Sequence, residues 1–449
     1  MNDWTFAEEN AARAWRHYEA GRWEHALRDL RKALAVNPDQ PEWLFGLGLT
    51  LDALGRFHEA ALSYQAVLDQ RPDDVEALLH LGINQVRLMQ SVDAIQNFEK
   101  VQELDPDNHA SYCHRIAAYT QLGEYDQAEV MFYLAQQSDP DCPVCYDHLA
   151  HAMATQAQLP RAAWCWQRVL ELDRHHPLAH ANLGRAHWYL GEYTQARYHL
   201  EHHVLCDPTD VETTLELAAL LLEMDQTEPA AGYLSTAVSL APHNARAHHL
   251  LGDTALKLGK PEEAEQAFEA ARRIEPNRPG VRLGLALAAR ERGEQDASID
   301  HLIAELSVGG QDGRQVLQTA RLLVEAEQYD HAIALLTPMA EGLDDMFVDD
   351  APGLSRLLQI RGVALAAVGS HAQAITDCRR ACKLDRSNTA ALQQLVVEYL
   401  HVGDTDRARV CLQRAIQLSP EDPHLRHLAT QLKWQRLGSI ASRFMGRAA

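Results

Sequence analysis

The stretch that decides the fold is residues 245–278, ARAHHLLGDTALKLGKPEEAEQAFEAARRIEPNR. It reads as two short helices around a glycine. Leu250, Leu251, Ala255 and Leu258 mark one apolar face, and Gly259 follows as a residue that adopts the left-handed C′ conformation at little cost. Ala264, Phe268 and Ala271 mark a second face, and Pro276 prevents further extension. The length of this unit, 34 residues, is also the spacing of features along the rest of the chain. Pro38, Pro72, Pro106 and Pro140 keep the interval, Arg174 replaces one proline, and Pro208, Pro242 and Pro276 resume it. Glycine recurs as Gly21, Gly55, Gly123, Gly191, Gly259 and Gly293. Five residues after that slot comes alanine, as Ala26, Ala60, Ala94, Ala128, Ala162, Ala196, Ala230 and Ala264. Alanine there lets two antiparallel helices approach closely. A unit this small cannot bury its own apolar face, so units must stack.

The pattern of Leu251, Gly252, Gly259, Ala264, Phe268, Ala271 and Pro276 resembles the tetratricopeptide repeat family. So do Leu81, Gly82, Ala94, Phe98 and Pro106, and Tyr112, Tyr119, Gly123, Ala128, Phe132, Ala135 and Pro140. The resemblance implies an all-α, right-handed α-solenoid superhelix of antiparallel helix pairs. About twelve repeats fit residues 7–422, after an N-terminal extension at 1–6. Ten fall in 7–346, the ninth and tenth degenerate because Ser298 replaces the alanine and Glu327 the turn glycine. The phase then slips across 347–354, read as an insertion loop, and two further repeats follow in 355–422. Leu425, Leu428 and Leu432 are spaced as the stripe of a capping helix, followed by a basic tail to residue 449 that carries no acid. That tail reads either as a contact for an anionic surface or acidic partner, or as a longer cap.

The chain of 449 residues has a formal net charge of −22 and 46% hydrophobic residues. This balance argues against a nucleic-acid partner, which needs a basic footprint. No apolar run is long enough to span a bilayer, and no export signal is evident, so the expected compartment is cytoplasmic with its eight cysteines reduced. No phosphate loop, nucleophile elbow, zinc-protease helix or dinucleotide fingerprint occurs. The expectation is therefore a protein without catalysis or cofactor, a scaffold or adaptor for other proteins or peptides.

In the resembled family, ligands lie in a concave groove lined by the first helix of each repeat. Carrying over the matching places nominates Trp15, Tyr18, Glu42, Phe45 and Glu76 in early repeats, and Asp147, His151, Arg185 and Trp188 in middle ones. Arg246, His249, Arg314, Arg321 and Arg356 follow in later repeats, so the nominated residues change from acidic to basic along the sequence. Aromatic anchors with graded charge suit an extended or helical peptide. The carboxylate clamp of chaperone-binding relatives is incomplete, because Asp147 and His151 stand where its Lys and Asn would, although Asn182 fits.

The 24 histidines raise a second possibility, a regulatory module with a structural metal site. Cys142 and Cys145 form a C-x-x-C turn between the fourth and fifth repeats, with His109 and His176 at neighbouring turns. Two thiolates and two imidazoles would make a tetrahedral zinc site; the alternative is ordinary thiols in a turn. His199, His202, His203 and Cys206 make a second cluster on one helix, again either a metal site or a surface stripe. Asp344, Asp345, Asp349 and Asp350 flank the phase slip without the spacing of a calcium loop.

Overall fold

A computed structural model describes residues 3–308, 312–342, 346–347 and 350–433. They form an all-α solenoid of helical hairpins. The chain divides into two units, 1–220 and 221–449. The first holds α1 (Asp3–Glu19), α2 (Trp23–Leu34), α3 (Pro41–Ala53), α4 (Phe57–Gln70), α5 (Val75–Arg87), α6 (Ser91–Leu104), α7 (His109–Leu122), α8 (Tyr125–Ser138), α9 (Pro143–Thr155), α10 (Leu159–Leu172), α11 (Ala179–Tyr189) and α12 (Tyr193–Cys206). After α13 (Val211–Glu223), the second holds α14 (Thr227–Leu240), α15 (Ala245–Lys257), α16 (Pro261–Ile274), α17 (Val281–Glu291), α18 (Gln295–Glu305), α19 (Gly313–Glu325), α20 (Tyr329–Ala340), α21 (Ala351–Ala367), α22 (His371–Leu384), α23 (Thr389–His401) and α24 (Thr405–Leu418). Residues 423–433 are also helical.

Local chemistry sets the boundaries. Two residues after the recurrent proline, Asp74, Asn108 and Asn244 accept from the backbone N–H three residues on and cap α5, α7 and α15. Between the helices of each repeat one residue takes positive φ. Gly21, Gly55, Gly123, Gly191, Gly259, Gly293, Gly369 and Gly403 fill eight of these slots. Met89, Ala157, Asp225 and Glu327 fill the others at φ 58° to 61°, so the turn is kept where glycine is missing. The tight hairpin is thus imposed by packing, against a local cost of about 1–2 kcal/mol for a side chain in the left-handed region.

The packing that imposes it is visible one turn inside. All eleven alanines of the recurrent slot, from Ala26 through Ala408, are 0% exposed. Ser298, the exception, is buried and donates from Oγ to the Ala286 carbonyl at 2.8 Å, which satisfies its hydroxyl without widening the hairpin. A second close approach pairs a glycine of the first helix with a large side chain of the second. A Cβ placed on Gly82 would lie 2.6 Å from the Phe98 ring, and one on Gly252 would lie 2.7 Å from Phe268. The Tyr64 ring meets Gly48 in the same way, and its buried hydroxyl donates to Asp52 at 2.8 Å.

Two regions differ from the sequence expectation. Helix α1 begins at Asp3, so part of the expected extension is helical, and Trp4 reaches the Trp43 ring at 5.9 Å. The expected insertion loop is partly helix: residues 351–354 open α21, which is 17 residues long. Phe347 anchors that change. It is 4% exposed and sits where Gly313 carries no Cβ. At the far end, Leu425, Leu428 and Leu432 are buried against a cluster that includes Leu395, Tyr399 and Leu412. The tail from 434 onward lies outside the described residues, as do Asp344, Asp345 and Asp349.

The α11–α12 hairpin carries a histidine group. His180 Nδ1 and His199 Nδ1 are 3.0 Å apart, so one must donate and the other accept. His202 stacks on His180 with ring centroids 3.9 Å apart. Burial first, then neighbouring imidazoles, hold His180 and His199 neutral down to about 4, from an ordinary value of 6.5. In the unfolded chain both would take a proton below about 6.5. Their stabilising contribution is therefore full above that pH and is lost as the pH falls toward 4.

Three measurements test these packing arguments. Urea unfolding of Gly82→Ala should show a loss of about 1–3 kcal/mol, because Phe98 has no space to yield to a methyl group. Met89→Gly should gain up to about 1 kcal/mol by removing left-handed strain at a solvent-facing position. Between pH 6.5 and 4 the wild type should lose about 2 kcal/mol more than His199→Gln, a figure discounted for partial exposure of the pair. Superimposable pH profiles of the two proteins would remove the histidine argument.

Candidate functional site

Several first helices of neighbouring repeats touch within each unit: α5 and α7, α7 and α9, α15 and α17, α19 and α21, and α21 and α23. The nominated groove residues sit on first helices, and the structure sorts them into accessible side chains and side chains already engaged.

In the first unit, Trp15 is exposed and meets Tyr18 edge-on at 5.9 Å. Glu42 is exposed and accepts from Arg71 at 2.6 Å, and Glu76 is exposed. Phe45 is half-buried between Tyr64 and His80, with centroids 5.5 and 5.6 Å away, so it belongs as much to the core as to a groove. Asp147 accepts from Trp166 Nε1 at 3.1 Å and lies 3.6 Å from His151. Arg185 is not a loose cation: its Nε reaches both Glu216 oxygens at 2.8 and 2.9 Å, and Nη1 donates to Asn182 at 3.0 Å. That network uses the one asparagine that fitted a carboxylate clamp. Trp188 is half-buried, its ring 6.5 Å from Tyr189.

In the second unit, Arg246 and His249 are half-buried. His249 Nδ1 accepts from Arg278 Nε at 3.4 Å and its ring lies edge-on to Phe268. Burial first, and the Arg278 charge second, hold His249 neutral to about 4. The remaining three nominated arginines converge. Arg314, Arg321 and Arg356 line one cleft of about 900 Å³ between α19 and α21. Its apolar wall includes Leu317, Val324, Phe347 and Ile360. The acids at its rim have structural tasks. Asp312 caps α19 through Gln315 N at 2.7 Å, and Asp350 caps α21 through Gly353 N at 2.8 Å. Glu325 accepts from Arg321 at 2.8 Å and from Arg290 at 2.9 Å. Arg314 and Arg356 are exposed, and the Arg356 charge acts on Asp385. Sequence reasoning placed these cations on one face but missed that the lengthened α21 and buried Phe347 shape a cleft around them.

The cysteine expectation needs two corrections, one to the membership of the cluster and one to the reduced state expected of all eight cysteines. His109, Cys142 and Cys145 come together, but the fourth member is Cys113 and not His176. His109 and Cys113 are four apart on α7 and share the face that meets α9. His176 follows α10, one turn further along, where its charge would act on His148. The ligating atoms of His109, Cys113, Cys142 and Cys145 all lie within 4.8 Å of one another. Cys113 and Cys145 are joined as a disulfide. The H-x-x-x-C spacing at 109–113 was the available signal. The other cluster separates: His203 turns inward to Asp210 at 2.9 Å, while Cys206 is exposed beside His202 at 3.6 Å.

Among the described residues no helix is long and apolar enough to cross a membrane. No curated protein matches the sequence. Among solved structures the chain is similar to the APC/C hetero-tetramer Cut9–Hcn1, at 12% identity over 95% of this chain and 96% of that one, with a TM-score of 0.45. Yeast Tom70 is similar at 14% identity over 98% and 96%, with a TM-score of 0.40. Pseudomonas aeruginosa PilF is similar at 19% identity over 48% and 96%, with a TM-score of 0.41. Family descriptions named tetratricopeptide repeat match residues 11–75, 47–109 and 149–210, then 221–290, and finally 389–422. With those matches over more than half of the sequence, and a left-handed turn and buried small residue in every hairpin, the chain belongs to the tetratricopeptide repeat family, a family of protein-interaction scaffolds.

Proposed function

We propose that this protein is a noncatalytic adaptor that binds segments of other proteins along the first-helix faces of its repeats. The single observation that carries the reading is the α19–α21 cleft, where Arg314, Arg321 and Arg356 surround an apolar wall. The chain has a net charge of −22, whereas in this cleft Arg314, Arg321 and Arg356 balance Asp312, Glu325 and Asp350, so the local charge is less negative than the average. Such a site favours a segment that places one or two carboxylates beside an aliphatic or aromatic side chain. The apolar anchor would supply most of the affinity, and the arginines would supply orientation and on-rate. Arg314 and Arg356 are suited to this because both are exposed. Arg321 must exchange Glu325, and as both are well exposed that exchange costs little. In the first unit, Trp15 and Trp188 offer aromatic surface, whereas Arg185 is held by Glu216 and serves to position the α11 face.

Crosslinking pull-down from the native host, followed by titration of the captured segments, tests this reading. Arg321→Glu and Arg314→Glu should each weaken an acidic segment by about tenfold, equivalent to about 1.4 kcal/mol, and the loss should shrink as salt rises. Trp188→Ala should weaken segments seated on the first unit and leave those in the arginine cleft unaffected. Folded variants that keep every partner at wild-type affinity would overturn the groove assignment.

A further inference from the structure

The sulfur and imidazole group between α7 and α9 does more than a disulfide requires. A disulfide uses two of its four members. Cys142 Sγ nevertheless sits 3.6 Å from Cys113 Sγ. His109 Nε2 faces both bonded sulfurs, 3.0 Å from Cys113 and 3.6 Å from Cys145. These two extra groups gain little where they are. A disulfide sulfur is a weak acceptor for an imidazole N–H, and His109 Nδ1, also buried, has no hydrogen-bond partner. The three cysteines are buried in the same core cluster as Ile116 and Leu149, and His109 is half-buried at its edge.

We infer that in the reduced protein His109, Cys113, Cys142 and Cys145 bind one zinc ion, which fastens α7 directly to α9. A tetrahedral zinc with bonds of about 2.3 Å to sulfur and about 2.0 Å to nitrogen has ligand–ligand edges of roughly 3.5–3.8 Å. The Cys113–Cys142 and Cys145–His109 separations already match that edge. The bonded Cys113–Cys145 pair must open by less than about 2 Å, and the His109–Cys113 pair by about 0.5 Å. The sequence supplies the set in two local pairs, His109-x-x-x-Cys113 within the first turns of α7 and Cys142-x-x-Cys145 at the start of α9. Cys142 is the N-cap of α9.

The chemistry balances. A dithiol reductant gives two electrons and two protons to the Cys113–Cys145 bond, producing two thiols and the reductant's own disulfide. Zinc then displaces one proton from each of three thiols, and neutral His109 binds through Nε2. Three thiolates and Zn²⁺ leave a net charge of −1, with no acidic side chain in the ligand set. The inference is independent of the adaptor reading, since it concerns how two repeats are held and not what they hold.

The full chain, reduced and then dialysed against zinc in the presence of a weak competing chelator, tests it. Metal analysis should find one equivalent of zinc, and cobalt in its place should give the intense visible bands of a tetrahedral thiolate site. Zinc should protect Cys113, Cys142 and Cys145 from alkylation while Cys206, exposed on α12, reacts. Cys142→Ser, which spares the disulfide pair, should lose at least half of the bound zinc, whereas Cys206→Ser should retain it. A reduced wild type that takes up less than a tenth of an equivalent, or cobalt uptake without thiolate bands, would overturn the site without recourse to any variant. Either result would leave the adaptor reading untouched.

Discussion

The constraint on which the rest of the structure depends is the close approach of two antiparallel helices within 34 residues. It leaves room for a methyl group at one crossing point and, in several repeats, for a hydrogen atom at another. The alanine slot meets the first demand, and Gly82 under Phe98 or Gly252 under Phe268 meets the second. Once the helices are that close, the connecting turn has one geometry available. Met89, Ala157, Asp225 and Glu327 accept the left-handed region because abandoning it would separate the helices and expose the buried alanine row.

That constraint explains what could be read in advance. Proline, glycine and alanine each report a backbone restriction, and a restriction repeated at fixed spacing survives loss of any one residue. Arg174 and Glu327 break the pattern without breaking the fold for this reason. Side-chain alliances carry no such redundancy. Nothing in the linear spacing joins Arg185 to Glu216, 31 residues away, yet that pair turns an expected groove cation into part of the scaffold. Replacing His176 by Cys113 has the same origin. The turn-to-turn analogy favoured a histidine at a turn, while helix geometry favoured the residue one turn along α7, facing α9.

The phase slip shows how a departure from the repeat becomes a shape. Eight extra residues would be expected to bulge outward as loop. Instead Phe347 is buried where Gly313 leaves space, and the following residues extend α21 to 17 residues with Asp350 at its cap. The longer helix carries Arg356 on the lining of the cleft that also holds Arg314 and Arg321. A regular repeat at this point would have supplied the same arginines without the same enclosure.

The two departures act on different links of the same chain of causes. Phe347 and the lengthened α21 alter the surface offered to a partner, while His109, Cys113, Cys142 and Cys145 alter the connection between neighbouring repeats. In a solenoid, stability and local curvature are nearest-neighbour properties. A bond between α7 and α9 therefore stiffens the two repeats it joins without recruiting a distant core. Ordinary packing between first helices can slide by small rotations of many side chains. In the reduced, zinc-bound form that we infer, four ligands around one ion would have a single distance and angle to satisfy, a tighter restriction than apolar contacts impose.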